Sequence, residues 1–358
     1  MKKGLLFALL ILSVFGLSSC KKPEDYAFNF YEYMDTFISI NLYTDSQEHA
    51  ETLEEGVEDI YRTYHELTNN YEPLSSNSGF KENLFSINGR INEDIEIDQE
   101  LYEILEKADE IHTLTNGYFD ISIGKMVDVW KDVILNEEAG YLHNEIPEAV
   151  FNQILEDLEA IDVIEEPFVL TESEGKFYIR LTHEDVKLDL GALSKGYATQ
   201  LVYDYLVSEG VEYFSITAGS SSISVGKNYN RDTHMYHVSL ANPIETTGVY
   251  GMMYVQNRAI NTSGNFEQYA LYQGLRYHHV ISPKTKMPAQ YYHTVTVLGN
   301  DAGILDALST ALFSMPSTEF ETFLTTLQDD YELEIIRFNY DETVTTFLKD
   351  TVFEEYDR

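Results

Sequence analysis

The sequence predicts an α+β protein: one body of mixed sheets and helices, with length enough for two lobes. Three observations carry this. Apolar residues recur at helical spacing over residues 48 to 67 and again over 98 to 114. Beyond residue 167 the pattern becomes strand-rich, and the strands are interleaved with helical patterns near 195 to 208 and 303 to 314. No unit of about 20 to 50 residues repeats and no segment is of low complexity, so solenoids and arrays are excluded. With 358 residues, 44% of them hydrophobic, the chain can bury an ample core.

The elements follow in order. Lys2 and Lys3 precede an apolar run from Leu5 to Leu17, the pattern of an export signal. Leu17-Ser18-Ser19-Cys20 then resembles the bacterial lipobox, small residues before a cysteine whose thiol is acylated before cleavage. An uncleaved anchor with an incidental cysteine is the alternative. The expectation is a lipoprotein signal peptide over residues 1–19, a lipidated tether over 20–27 beginning at Cys20, and a domain over 28–350 held on the extracytoplasmic face of the cell membrane. Thr36-Phe37-Ile38-Ser39-Ile40-Asn41-Leu42-Tyr43 alternates as a half-buried strand does. A polar, turn-rich segment from Asn69 to Asn92 separates the two amphipathic helices, and the second carries Leu101, Ile104, Leu105, Ala108 and Ile111 on one face. Residues 131 to 165, acidic and irregular, read as a surface excursion with one short helix. Strands are expected near 176 to 181, 212 to 217, 234 to 240, 250 to 256 and 291 to 297, and Pro316-Ser317-Thr318 with Glu321 reads as the cap of a last helix.

Charge narrows the function. The chain has 61 acidic and 23 basic residues, a net charge of -38, and no basic run to focus the opposite sign. A phosphate backbone would meet a repulsive field, which excludes nucleic-acid binding. Cleavage before Cys20 removes Lys2 and Lys3 and leaves 21 basic against 61 acidic residues, a charge of -40. Such a body should stand off from anionic lipid. Cys20 is the only cysteine, so the folded body has neither disulfides nor thiolate metal sites.

Several phrases could carry chemistry. In Leu188-Asp189-Leu190-Gly191-Ala192-Leu193-Ser194-Lys195-Gly196-Tyr197-Ala198 an apolar strand end runs through a small-residue turn into a helix, so free N–H groups and a positive dipole end face one point. Lys195 in that first turn opposes the dipole, a conflict that an anionic ligand resolves; a tight turn with a solvated lysine is the plainer reading. Asp306 and Thr310 stand four residues apart on one helix face. Carboxylate and hydroxyl, supplemented by a backbone carbonyl and water, suit a hard ion such as Mg2+, although a helix-start aspartate and a packed threonine would look the same. His278 and His279 lie in a strand leading to Pro283, and either could be a general base while the other packs. Ala218-Gly219-Ser220-Ser221-Ser222 could approach a ligand or be a plain loop, and Asn116-Gly117-Tyr118-Phe119-Asp120 offers an aromatic wall and a carboxylate or is an ordinary turn.

Together these phrases resemble the ApbE family, the FAD:protein FMN transferases. The matching runs are Tyr33 to Thr36, Thr115 to Asp120 with Val127 to Trp130 behind it, Asp189 to Tyr197, Asn261 to Asn265, Tyr277 to Pro288, and Asp306 to Phe313. The likeness spans about residues 28 to 315. It implies an ApbE-like, T-fold-type body and a Mg2+-dependent transferase that splits FAD, releases AMP and attaches FMN to a Thr or Ser of an exported electron-transfer flavoprotein. The implied metal ligands are the carbonyl of Ala192 and the side chains of Asp306 and Thr310. The implied FAD contacts are Met34, Tyr71, Tyr118, Phe119, Asp120, Asp189, Lys195 and Ile281, and His279 is the implied acid or base. Ser282 replaces an aspartate of the family's pattern and Lys286 a glycine; Asp35 stands where many members have glycine, and Ser220 and Ser221 replace a Gly-Asp pair. The loss at Ser282 leaves two alternatives open: an FAD pyrophosphatase giving FMN and AMP, and a lipoprotein that binds FAD without chemistry.

Overall fold

The computed structural model describes residues 22–135, 140–245, 247–327 and 331–356; Cys20 and the export signal lie outside the described residues. The first element is a strand, β1 (Glu24–Phe30), paired antiparallel along its whole length with β2 (Ile38–Thr44). The expected tether over 20–27 therefore overlaps the sheet, since residues 24–27 already belong to β1. An edge strand has one open side, and in β1 only Phe28 is buried, so its alternation was too weak to read. In β2, by contrast, Ile38, Ile40 and Leu42 are buried at alternate positions, as the pleat requires. A chain begun at Phe28 would lose four of the seven β1–β2 pairs and bare the edge of β2. It is expected to melt lower and to self-associate relative to a chain begun at Lys22, as a thermal melt and gel filtration would show.

Ser46 caps α1 (Gln47–Thr68) by accepting the His49 N–H, and Leu53, Val57, Tyr61, Tyr64 and Leu67 form its buried stripe. The turn-rich segment that follows holds α2 (Leu84–Ile87), closed by a capping box between Asn83 and Ser86. Beyond β3 (Ile95–Ile97), α3 (Gln99–Leu114) buries the five residues that the spacing assigns to its inner face. Next come α4 (Gly124–Ile134) and α5 (Glu148–Glu159). The one short helix expected within 131–165 is α5, but the stretch is not the surface excursion expected: Ile134, Phe151, Ile154 and Leu158 are buried with Trp130 and Ile281 in an apolar cluster of their own. The acidic residues of this stretch clothe an amphipathic pair rather than a loop.

The remaining elements are β4 (Phe168–Ser173), β5 (Lys176–Leu181), α6 (Ser194–Ser208), β6 (Phe214–Ala218), β7 (Ser222–Val225), β8 (Tyr236–Ala241), β9 (Val249–Val255), β10 (Arg258–Gly264), β11 (Tyr269–Tyr272), β12 (Leu275–His278), β13 (Tyr292–Gly299), α7 (Ala302–Phe313), α8 (Ser317–Leu327), β14 (Glu334–Asn339), β15 (Val344–Phe347) and β16 (Val352–Glu355). The main sheet runs β1-β2-β6-β7-β10-β13-β14-β15, every pair antiparallel. One face places Ile216, Ala259, Val295 and Ile335 in the main core with α1, α6 and α7. The other places Ile260, Leu298, Ile336 and Phe338 in a second core closed by the sheet β16-β9-β8. Covered on both sides, β13 is buried at every position and so reads as a run rather than an alternation. No described helix is long and apolar enough to cross a membrane.

Candidate active site

The site begins where α6 crosses α7. A Cβ on Gly196 would lie 2.3 Å from the Ala302 carbonyl oxygen and 2.5 Å from Asp306 Cβ, so glycine is what allows the two backbones to approach. The approach lets the Gly196 N–H, a free donor of the first turn of α6, reach Asp306 Oδ2 at 2.9 Å. Asp306 is not the cap of its own helix; Asp301 fills that role by accepting the N–H groups of Gly303 and Ile304. Thr310 follows one turn later. Ser263 Oγ of β10 lies 2.9 Å from Ser309 Oγ and 3.4 Å from Thr310 Oγ1, and Ser309 in turn donates to the Asp306 carbonyl, which ties the hydroxyl side of α7 to the sheet.

Asp306, Thr310, Ala192, Lys195 and His279 border one cavity of about 920 Å³, and so do Met34, Tyr71, Tyr118, Phe119, Asp120, Asp189 and Ile281. The structure thus brings together every candidate residue of the folded body, from six segments of the chain. Their supports are local. Met34 takes a left-handed φ of 57°, and its N–H donates to His65 Nδ1 at 3.1 Å. Tyr118 donates to Glu319 of α8 at 2.6 Å, and burial together with that carboxylate pushes its phenol above the usual range. Asp120 is nearly covered and accepts the Ser122 N–H at 2.8 Å. The polar segment between α1 and α3 proves structural: Asn88 both accepts the Leu188 N–H at 2.7 Å and donates to its carbonyl, fixing the chain one residue before Asp189.

Lys131 of α4 is a site residue that sequence reasoning missed. Its Nζ lies 3.3 Å from Asp189 Oδ2, donates to the Tyr71 hydroxyl, and sits 5.0 Å from the centre of the Tyr71 ring. Burial alone would raise the Asp189 carboxyl, but Lys131 and the Gly191 N–H at 2.7 Å outweigh it and hold the group below the usual carboxylate range. The only available signal was a lysine directly after Trp130 in one of the matching runs. Lys195 bonds only the Gly191 carbonyl, at 3.3 Å, and no carboxylate among the described residues pairs with it.

The two histidines separate cleanly. His278 is fully buried; its Nε2 bonds the Ala289 carbonyl at 2.7 Å, its Nδ1 accepts the Val280 N–H, and its ring meets Phe313 edge-on. It packs. His279 borders the cavity with a buried Nδ1 that has no partner among the described residues, and burial aided by Lys195 pushes its pKa down to about 4, so it is neutral at pH 7. Burial likewise takes His278 to about 3 and His293 to about 4. All three stay uncharged in the fold but protonate near pH 6.5 when unfolded, so their stabilising effect is whole above that pH and is lost as pH falls toward 4. For His278 alone the loss is roughly 2 kcal/mol by pH 5. Denaturant midpoints at pH 7 and pH 5 check this, and equal midpoints would contradict it.

A model of the ApbE family matches residues 34–335. The chain belongs to the ApbE family. Its sequence is similar to FAD:protein FMN transferases of Vibrio cholerae, 25% identical over 309 residues that cover 85% of this chain and 86% of the relative, and of Haemophilus influenzae, 24% identical over 321 residues covering 87% of each. The match to a Rhodobacter capsulatus transferase is 29% identical over 219 residues, 61% of this chain but 39% of the relative. Among solved structures, the ApbE protein of Thermotoga maritima aligns with a TM-score of 0.71 at 22% identity, covering 90% of this chain and 97% of its own. The flavin transferase ApbE from Vibrio cholerae aligns with 0.69 at 20% identity, covering 92% and 98%. The fold is therefore the ApbE fold, as the sequence predicts.

Four departures from the ApbE pattern acquire a physical description. Asp35 and Lys286 both keep left-handed backbone angles, φ 49° and 59°, the region that glycine enters at least cost. Lys286 offsets its strain: Nζ donates to the carbonyls of Ile161 at 2.6 Å and Leu158 at 3.2 Å at the end of α5, and its own carbonyl accepts from Trp130 Nε1. Ser282 is 1% exposed and is not among the residues bordering the cavity, although Ile281 and Pro283 are. Ser220 donates to Glu267 at 2.6 Å across the cavity edge.

Proposed function

We propose that this chain transfers FMN from FAD to a threonine or serine hydroxyl of an exported electron-transfer flavoprotein, releasing AMP, with Mg2+ required. The reading rests above all on the charge balance of the cavity. Asp35, Asp120, Asp132, Asp189, Glu267 and Asp306 border it against two lysines, Lys131 and Lys195. A pyrophosphate would be repelled there unless a divalent cation came with it. Among the described residues no three His, Cys, Asp or Glu side chains form a metal cluster, so a protein-only cage is not what these residues offer. They offer the Asp306 carboxylate, the Thr310 hydroxyl and the Ala192 carbonyl on one cavity, which fits Mg2+, an ion that takes few protein oxygens and fills its shell with phosphate and water. Bound there, it supplies charge neutralisation for the bridging phosphates and the departing AMP.

The chain's own residues do the rest. Lys195, unpaired with any carboxylate among the described residues, meets the phosphates. Tyr71, Tyr118, Phe119 and Ile281 supply flat and apolar faces for the rings, while Met34, Asp120 and Asp189 border them. His279 takes the proton of the acceptor hydroxyl at Nδ1 as that oxygen bonds to the FMN phosphorus and the bond to AMP breaks. The names carried by the relatives support the same reading. Anchoring through an acylated Cys20 would place enzyme and acceptor on the same face of the membrane.

His279→Asn is expected to lower transfer by about a hundredfold or more while FAD affinity stays within a few fold of the parent. Single-turnover transfer and a fluorescence titration with FAD check the two halves. The function itself is tested by incubating the chain from Lys22 with FAD, Mg2+ and an FMN-acceptor domain. AMP with a heavier acceptor is the expected result; AMP with free FMN would instead mean hydrolysis, and bound intact FAD would mean storage.

A further inference from the structure

We propose that the acceptor protein docks on the turn between β1 and β2, where Tyr31, Phe37 and the carboxylates Glu32 and Asp35 form one patch; the identity of this partner rests on the transfer reading above. Tyr31 is 74% exposed and Phe37 45% exposed, and their rings pack on each other with centroids 4.9 Å apart. Single exposed apolar residues need no explanation, but a pair of aromatic rings packed on each other in water is the composition of an interface centre.

The display is rigid. The Phe37 carbonyl accepts the Gly219 N–H at 2.9 Å, the Met34 N–H donates to His65, and Tyr33 donates to Glu58 at 2.8 Å. A surface held this firmly loses little freedom when a partner binds. It also lies where an acceptor must pass. Met34, Asp35 and Thr36, three of the five residues between the two aromatics, border the cavity, so the patch adjoins the cavity that would hold the phosphorus.

Charge selects the partner. Residues 31 to 37 carry Glu32 and Asp35 and no lysine or arginine, on a chain of net charge -38. The complement is a protein surface with an apolar anchor and basic residues around the modified hydroxyl. An anionic membrane surface, the other class that exposed aromatics would fit, is repelled by the same carboxylates.

The test uses the full-length chain and, as probe, a labelled flavoprotein domain that the Vibrio cholerae relative flavinylates. Binding is read by fluorescence anisotropy without FAD, so it needs no turnover. The double variant Tyr31→Ser/Phe37→Ser is expected to bind the domain about tenfold more weakly or worse. Glu32→Lys should weaken binding severalfold and flatten its dependence on salt. FAD affinity should be unchanged in both, and Leu275→Ser, an exposed apolar residue elsewhere, should bind as the parent does. Parental affinity in the double variant, no binding by the parent, or a loss seen only toward phosphatidylglycerol vesicles would overturn the proposal. Tight binding by a parent that never releases AMP would leave the docking site standing and overturn the transfer reading instead.

Discussion

Asp306→Ala is expected to lower Mg2+-dependent FAD cleavage by at least about a hundredfold, the larger end of what disturbing a metal site costs. The substitution does two things at once. It removes the only carboxylate of the implied ligand set, and it strips the buried Gly196 N–H of its acceptor at 2.9 Å. An unpaired buried donor costs about 1–3 kcal/mol, so part of the loss could be structural. Asp306→Asn separates the effects, because its carbonyl oxygen can still accept from Gly196 while its charge is gone. Near-parental stability and still at least about a hundredfold less cleavage are expected of the asparagine variant. Urea midpoints and AMP release measure the two quantities. Near-parental AMP release from Asp306→Asn would remove the carboxylate's charge from the chemistry.

Gly196→Ala is expected to be among the most damaging substitutions of a single methyl group in the protein. The new carbon would stand 2.3 Å from a backbone oxygen, and backbone cannot swing aside as a side chain can. Relief requires α6 and α7 to separate, which opens the main core and carries Asp306 and Thr310 away from Ala192. A loss of about 2–4 kcal/mol is expected, with FAD cleavage falling at least tenfold. Because Gly196 acts on the site through the helix spacing and through its own N–H bond to Asp306, activity should fall in step with stability. A variant as stable as the parent would show that the crossing has room that the geometry denies it.

How legible the protein was depends on what each feature needs. The inner face of α3 and the alternation of β2 follow from local periodicity, so both could be read directly. β1 could not, because an edge strand with one buried residue has no period to detect. The burial of α5, expected only as a short helix on the surface, was hidden by composition: acidic residues dominate the stretch, and the buried Phe151, Ile154 and Leu158 lie among them. Each candidate site residue was suggested by a phrase and a family likeness, yet none of the contacts between phrases was visible. Gly196 and Asp306 are 110 residues apart in sequence, and Lys131 and Asp189 are 58 apart. His278 and His279 are neighbours of the same type, and only burial with two satisfied nitrogens separates the packing histidine from the one with a free Nδ1. Lys286 shows the reverse: a replacement of glycine that looked disruptive keeps the left-handed backbone and gains two carbonyl partners.

On the proposed reading, Asp306, Thr310 and the Ala192 carbonyl hold the cation that makes the FAD pyrophosphate breakable on an acidic scaffold. Crystals of the parent chain soaked with FAD and Mn2+, whose anomalous scattering marks the ion, test it directly. A single strong peak bonded to those three groups is expected, with phosphate oxygens completing the shell and Lys195 alongside. A peak at other carboxylates, or flavin bound with no ion between Asp306 and its phosphates, would contradict it.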